Sequence, residues 1–594
     1  MRVGVDTGGT FTDLVAEDGR VVKVLSTPRA PADAVREALA SLPAPASVLA
    51  HGTTVATNAL LERRGPPVAL LTTVGFADVL EIARQTRPAL YDLHVDRPPP
   101  LVDRGRRLEV GGRLDGTGRE LEALDPATIP ELPAGVGAVA VCLLHADLDA
   151  RHERAVAAAL RARGVDVTCS HEVSPEFREY ERTVTTVANA LLRPVCRAYL
   201  EELAAVADEV LVLTSAGGLI PAADAAGLPA ALLLSGPAGG VRAAAAVAAA
   251  CGLPDAVSLD MGGTSTDVCL IRGGVPLPAP SRAVAGYPIR LPALDVHTVG
   301  AGGGSIAVLD AGGALTVGPR SAGAVPGPAC YGRGGVEATV TDADLALGRI
   351  DPHATFPDLG RLDVARARAA LDRAGVDAAG VVTVVDTAME EAVRAVTVAR
   401  GVDPRALALV AFGGAGPLHG CAVADALGMP AVIVPPRAGA LSAVGLLASP
   451  RRRELVRSWP TPDDRRGLDR ALEQLGAAAV TAVGPGATVD TALDCRYVGQ
   501  SHELTVETID AFHEEHRRRN GYARPDVPIE VVALRAGASR PAPLAAESLP
   551  DVERPVVRGP RVAAEPDCTM WVPEGWVATP GPLGAWVLRR DGAS

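Results

Sequence analysis

Residues 6–13 read DTGGTFTD, and the same D-x-G-G-T-x-T-D pattern returns 254 positions later as DMGGTSTD at residues 260–267. Two adjacent glycines let a turn approach a ligand closely while successive N–H groups point into one space, which suits phosphate oxygens. The hydroxyls of Thr10 and Thr264 can add donors, and Asp6 and Asp260 are hard oxygen ligands of the kind a hydrated Mg2+ shares with phosphates. Asp13 and Asp267 close the two motifs, and strand alternation puts them on the same face as each other. Either one of them orients an attacking oxygen or a metal-bound water, or both hydrogen-bond the neighbouring threonines and only shape the turn. One copy of such a pattern is commonly a plain surface turn. Two copies in matching surroundings predict a nucleotide held between two halves of the chain.

The surroundings do match. A short apolar run precedes each motif, Val3-Gly4-Val5 and Val257-Ser258-Leu259, and a second run follows each, closed by Asp18-Gly19 and Gly273-Gly274. Each copy therefore predicts a β-hairpin with a returning strand, the turn pairs supplying the positive φ that tight hairpins need. A third glycine turn, Gly413-Gly414-Ala415-Gly416, lies between the buried-strand run Ala406–Phe412 and a helix opened by Pro417, the expected place for adenosine. The run Gly300-Ala301-Gly302-Gly303-Gly304-Ser305 has serine where a dinucleotide fingerprint needs its last glycine, so it is not read as one.

The 594 residues are 48% hydrophobic, enough to bury a sizeable core over several domains. With 63 glycines and 49 prolines the chain is loop-rich but not of disordered composition. A net charge of −13, with no basic run interleaved with aromatics, argues against nucleic acid. Of 57 Lys and Arg residues only Lys23 is a lysine, which excludes a GK[ST] phosphate loop and Schiff-base chemistry elsewhere. Nine scattered cysteines without a C-x-x-C pair fit neither a zinc cluster nor a disulfide framework and point to the cytoplasm. The start MRVGVDTGGT has no apolar run of signal-peptide length. The best membrane candidate, 228–251, is broken by Ser235-Gly236-Pro237, Gly239-Gly240 and Arg242, so it reads as strand, loop and helix and no membrane span is expected.

These residues resemble the ATPase superfamily of acetate kinase, sugar kinases, the heat-shock chaperone ATPase and actin. Closer in, the chain is similar to the A-type subunit of the hydantoinase/oxoprolinase family. The likeness is carried by HGTTVATNALLERRG at 51–65, SPEFREYERTVTTVANALLRP at 174–194, SGPAGGV at 235–241 and DVHTVGAGGGSI at 295–306. It continues through GPRSAGAVPGPACYGRGG at 318–335, AFGGAGPLHG at 411–420, RYVGQSHEL at 496–504 and EPDCTMWVPEGW at 565–576. The resemblance implies an α/β fold of two ribonuclease-H-like lobes around an ATP cleft, with a small C-terminal α+β domain. The expected divisions are an N-terminal lobe at 1–174, a central ATPase lobe at 175–450 and the tail at 451–594.

The activity the resemblance implies is ATP-dependent phosphorylation of a cyclic amide, such as a hydantoin or 5-oxoproline, for ring opening with a B-type partner subunit. Related subunits activate ketones for carboxylation, and the same fold also serves non-catalytic nucleotide-dependent binding proteins. By motif, Asp6 and Asp260 would hold Mg2+. Gly8, Gly9, Thr10, Thr12, Gly262, Gly263, Thr264 and Thr266, with Gly302, Gly303, Gly413, Gly414 and Gly416, would bind ATP. Asp13, Asp267 and His51 are the catalytic candidates. His51, with Thr53, Thr54 and Asn58, either presents an imidazole and hydroxyls to a carbonyl or belongs to a helix cap. Arg84 and Arg87 bind an acidic group or simply meet solvent, while His297, His419 and Cys330 read as structural.

Overall fold

The computed structural model describes residues 1–594 apart from Thr10, Pro28, Leu93, Pro357, Asp358, Ala593 and Ser594. Short β-branched runs form the strands of two large sheets, each covered by alanine- and valine-rich helices. The first sheet places Val21–Leu25, Phe11–Ala16, Arg2–Thr7, Val48–Thr53 and Glu209–Leu213 side by side in that order. The second repeats the arrangement with Val275–Pro276, Thr266–Arg272, Ala256–Met261, Ala408–Phe412 and Val432–Val434. In both, the three strands around the hairpin are antiparallel and the next two run parallel to the first. This is the ribonuclease-H-like pattern, present twice, as the resemblance implied.

The repeat holds residue by residue. Asp6 lies directly opposite Asp13 in the first hairpin, and Asp260 directly opposite Asp267 in the second. A one-residue slip in either hairpin would turn its aspartates to the other face of the sheet, where apolar packing opposes it.

Two helices cross between the lobes. Helix Gly236–Ala250 packs on the second sheet, and helix Leu441–Ala448, entered from the second lobe, packs back on Arg2–Thr7 and Val48–Thr53 of the first. Their backbones touch: a methyl group at Gly445 would stand 1.8 Å from the Gly239 carbonyl oxygen. One at Gly4 would stand 2.1 Å from the Ala443 carbonyl oxygen, so the second helix also lies flat on the first sheet. The 228–251 stretch is therefore a 3-10 turn, Pro229–Leu232, and a connecting helix, without the strand expected of it. No helix among the described residues is long and apolar enough to cross a membrane.

Residues 68–169 form an all-parallel four-stranded sheet beside the first lobe. The tail has the α+β character expected of it, with helix Leu468–Val483 packed on strands Thr488–Tyr497 and Ile529–Arg540 over a core that includes Trp459, Tyr497 and Phe512. Its pairing cuts across the expected divisions. Strands from Arg451 to Arg540 extend the first sheet, whereas Val557–Arg558, Trp576–Pro580 and Trp586–Arg590 extend the second. Glu209–Leu213, placed by the sequence after the first lobe, also belongs to the first sheet. A buried ion cluster ties these parts: Glu176 faces Arg290 at 2.7 Å and Arg535 at 3.4 Å, and Arg535 pairs with Asp494 at 2.7 Å.

Because the helix crossing has no room for a side chain, Gly445→Val is expected to lower unfolding free energy by about 1–3 kcal/mol, the range for overpacking. Thermal and denaturant unfolding read this directly. A variant as stable as its parent would show that the helices are not held in backbone contact.

Candidate active site

Both hairpins open onto one cavity of about 390 Å3 between the lobes. From the first lobe Asp6, Gly8, Gly9 and Asp13 line it; from the second, Asp260, Gly262, Gly263 and Thr264. Gly303, Gly413 and Gly414 complete the wall on the second lobe. Thr10 lies outside the described residues. The two turns close alike, Gly8 N–H donating to the Phe11 carbonyl at 3.0 Å and Gly262 N–H to the Ser265 carbonyl at 3.1 Å. A methyl group at Gly9 or Gly263 would meet no atom within 4 Å, so the second glycine of each pair faces open space.

Each leading aspartate sits over a glycine of the adjoining parallel strand or its end. A methyl at Gly52 would stand 2.6 Å from Asp6 Oδ1, and one at Gly413, where φ is +80°, would stand 2.5 Å from Asp260 Oδ1. This explains the glycine of the HGTT string: it makes room for Asp6. Other motif residues serve the frame. Strand alternation turns Thr12 and Thr266 away from the cavity, where Thr12 Oγ1 contacts Ser26 Oγ at 3.1 Å and Thr266 Oγ1 donates to the Ala301 carbonyl at 2.6 Å. Gly302 lies against the second turn, a methyl there reaching 2.7 Å from Thr264 N, and Gly416 packs the helix start on the Leu259 carbonyl. These four residues were expected to bind nucleotide; none lines the cavity.

The carboxylates are held above their ordinary range. Burial, then the facing Asp13, pushes Asp6 up to about 7 against the pull of Lys23. Burial raises Asp13 too, with Lys23 Nζ 2.5 Å from its Oδ1 opposing the rise. Asp260 is raised well above the carboxylate range by burial first, then by Asp267, and also by Asp6 and Asp13 from across the cleft. Burial pushes Asp267 to about 6, moderated by a hydrogen bond from Thr298 Oγ1. Repulsion of this kind is relieved by a cation, and the hard oxygen donors fit Mg2+ better than a soft metal. Beyond the carboxylates the cavity runs to an apolar end formed by Tyr331, Ile350, Leu362 and Leu418.

The hydantoinase/oxoprolinase family model matches residues 182–454, and the model for that family's N-terminal region matches residues 2–164. The chain belongs to the hydantoinase/oxoprolinase family. It is 35% identical to the caprolactamase subunit alpha of Pseudomonas jessenii, with 99% of each chain covered. It is 34% identical to 5-oxoprolinase 1 of Arabidopsis thaliana over 75% of this chain and 41% of that protein. Its fold superposes on the crystal structure of the ATP-dependent caprolactamase of Pseudomonas jessenii with a TM-score of 0.86 at 31% identity, covering 99% of this chain and all of that one.

Within this hydantoinase/oxoprolinase chain the histidine expected at the acceptor is part of the core. His51 lies mid-strand, fully buried, its Nδ1 2.9 Å from the Val5 carbonyl and its Nε2 2.7 Å from the Tyr199 hydroxyl. Burial lowers it to about 4, which favours the neutral ring, and it does not line the cavity. Thr53 Oγ1 accepts from Val55 N–H at 3.2 Å, a local turn just before the helix whose N-cap is Thr54. Arg84 makes a two-point pair with Glu181 outside the cavity. The contributors that escaped the sequence reading include Lys23, Arg333, the apolar end, and the tail loop Pro566–Thr569, whose Asp567 accepts from Gly439 N–H at 2.8 Å. The apolar-end residues carry no motif, and the tail loop becomes a wall only through the second sheet.

His419 is structural, behind the cavity wall. Its Nδ1 is 2.7 Å from Asp386 and its Nε2 3.3 Å from Asp344, and although burial lowers its pKa, those carboxylates carry it up to about 10. A histidine raised in the folded state adds stability that is complete below its unfolded value near 6.5 and is lost as pH rises through about 10. His419→Gln should therefore cost most stability near pH 6 and flatten the decline towards pH 10, measured by denaturant unfolding across pH. A constant difference between the two proteins at every pH would contradict a charged His419.

Proposed function

We propose that this chain is the ATP-using subunit of a cyclic-amide hydrolase, phosphorylating the carbonyl oxygen of a ring amide so that water can open it. The observation that carries the reading is the pair of hairpins lining one cavity from two sides, with Asp6 and Asp13 of the first and Asp260 of the second at its wall. The likeness to the caprolactamase alpha subunit over nearly the whole of both chains supports a lactam-like acceptor and, since that relative is one subunit of an enzyme, a partner chain, for which a B-type subunit is proposed. All nine cysteines are free thiols, which supports a reducing compartment and the cytoplasm as its location.

In this reading the N–H groups of Gly9 and Gly263 receive the phosphates, Asp6 and Asp260 hold Mg2+ through its waters, and the apolar end takes the adenine. The ion neutralises charge on the terminal phosphates when bound. Asp13, beside the transferring group, accepts a hydrogen bond from the amide N–H and takes up its proton. The amide oxygen bonds to the terminal phosphorus as the bond to ADP breaks, its electron pair leaving on the ADP oxygen. The N–H proton departs as the C=N bond forms. With two waters, the products are the ring-opened acid, ADP and phosphate. An amide is a poor electrophile and its nitrogen a poor leaving group; phosphorylating the oxygen removes the first barrier and drives the second.

The test is ATP hydrolysis by the chain, alone and with a B-type subunit, across hydantoins, 5-oxoproline, simple lactams and small ketones with bicarbonate. Stimulation by a ring amide with matching ring opening is the expected result; stimulation by a ketone alone would assign the chain to carboxylation instead. Asp6→Asn and Asp260→Asn should each lower acceptor-dependent turnover by roughly 10²–10³-fold, the loss seen when a partner of transition-state charge is removed. Full activity in either folded variant would remove that hairpin from the metal site.

A further inference from the structure

The two hairpins repeat one another closely enough that a point of departure between them is informative. In the first hairpin the row of directly opposed residues continues onto a third strand: Asp6 faces Asp13, and Asp13 faces Lys23. In the second, Asp260 faces Asp267, and Asp267 faces Thr298. The third position contacts the second aspartate in both rows, but it is a neutral hydroxyl donating a hydrogen bond in one lobe and an ammonium forming an ion pair in the other. Asp13 and Lys23 line the cavity, whereas Asp267 and Thr298 do not.

Lys23 is also the one lysine among 57 Lys and Arg residues. Its ammonium, 2.5 Å from Asp13 Oδ1, lies 5.0 Å from the centre of the Phe11 ring, another cavity residue, so it is held from two sides and still borders the cavity. A compact ammonium presents three donors from a point, where a guanidinium would impose a flat two-point fork. That suits a group whose geometry changes during transfer between two oxygens.

We propose that Lys23 contacts the terminal phosphoryl group of bound ATP, and that the first-lobe hairpin is consequently the side of the cavity where the phosphoryl group is handed to its acceptor. The second hairpin, with no cation in the matching place, holds the nucleotide. The assignment rests on the ATP reading above and adds to it a direction: acceptor towards Phe11 and Lys23, adenine towards Tyr331 and Leu418.

The lone lysine makes the test unambiguous. An acyl-phosphate derivative of ATP places a reactive carbonyl on the γ-phosphate; a neighbouring amine bonds to that carbon, the carbon–oxygen bond to phosphate breaks with its electrons leaving on ATP, and the amine proton passes to water. The chain's other amine, the Met1 terminus, hydrogen-bonds the Pro45 carbonyl and does not line the cavity. Peptide mass spectrometry should find one acyl group, on Lys23, suppressed by excess MgATP, and none in Lys23→Arg. Lys23→Met should lower kcat by roughly 10²–10³-fold while KM for MgATP changes far less. Label on Met1 alone, or on Lys23 regardless of MgATP, in protein that binds MgATP by calorimetry, would overturn the assignment and leave the ATP reading standing. Absence of MgATP binding in the same protein would remove both.

Discussion

The contact on which the rest depends is the crossing of two helix backbones at Gly239 and Gly445. With no side chain between them, the helix that leaves the first lobe and the helix that returns to it are pressed together, and the sheets they pack on are held at a spacing that this contact sets. The two hairpin turns are the ends of those sheets, so their separation follows from this crossing. Any residue with a Cβ at Gly445 must push the lobes apart, and with them the carboxylates that now influence one another across the cleft.

Those carboxylates give the cavity its character. Three aspartates on two hairpins, Asp6, Asp13 and Asp260, line the cavity with Asp267 behind them, and all four are raised by burial, so the site's charge is unfavourable until a cation enters it. The glycines at 52 and 413 bring the aspartates this close to neighbouring backbone, and Lys23 relieves the first lobe alone. Duplication built the frame. The departure from symmetry at Lys23 and Thr298 gives the two halves different work.

Much of this was legible in the sequence because it is local. The D-x-G-G-T-x-T-D repeat, the strand before Gly413 and the glycine turn itself announce their geometry through residues a few positions apart, and all meet at the cavity. What stayed hidden depends on pairing between distant segments. The counterpart of Lys23 is Thr298, not the residue at the repeat offset, because Val296–Val299 and not Val275–Pro276 pairs beside Asp267. The tail looked like a domain of its own because its strands and helices are locally ordinary, yet their edges extend both lobes. His51 was misplaced for a related reason: a His-Gly-Thr-Thr string reads as a turn, but with parallel partners on both sides it is a buried strand whose glycine makes room for Asp6.

The central claim is that one nucleotide is gripped by both hairpins at once. A crystal structure of the chain with Mg2+ and a non-hydrolysable ATP analogue tests it most directly. The account predicts one nucleotide in the inter-lobe cavity, its phosphates against the amides of Gly9 and Gly263 and the ion between Asp6 and Asp260. A nucleotide bound to one hairpin alone, or outside this cavity, would contradict it.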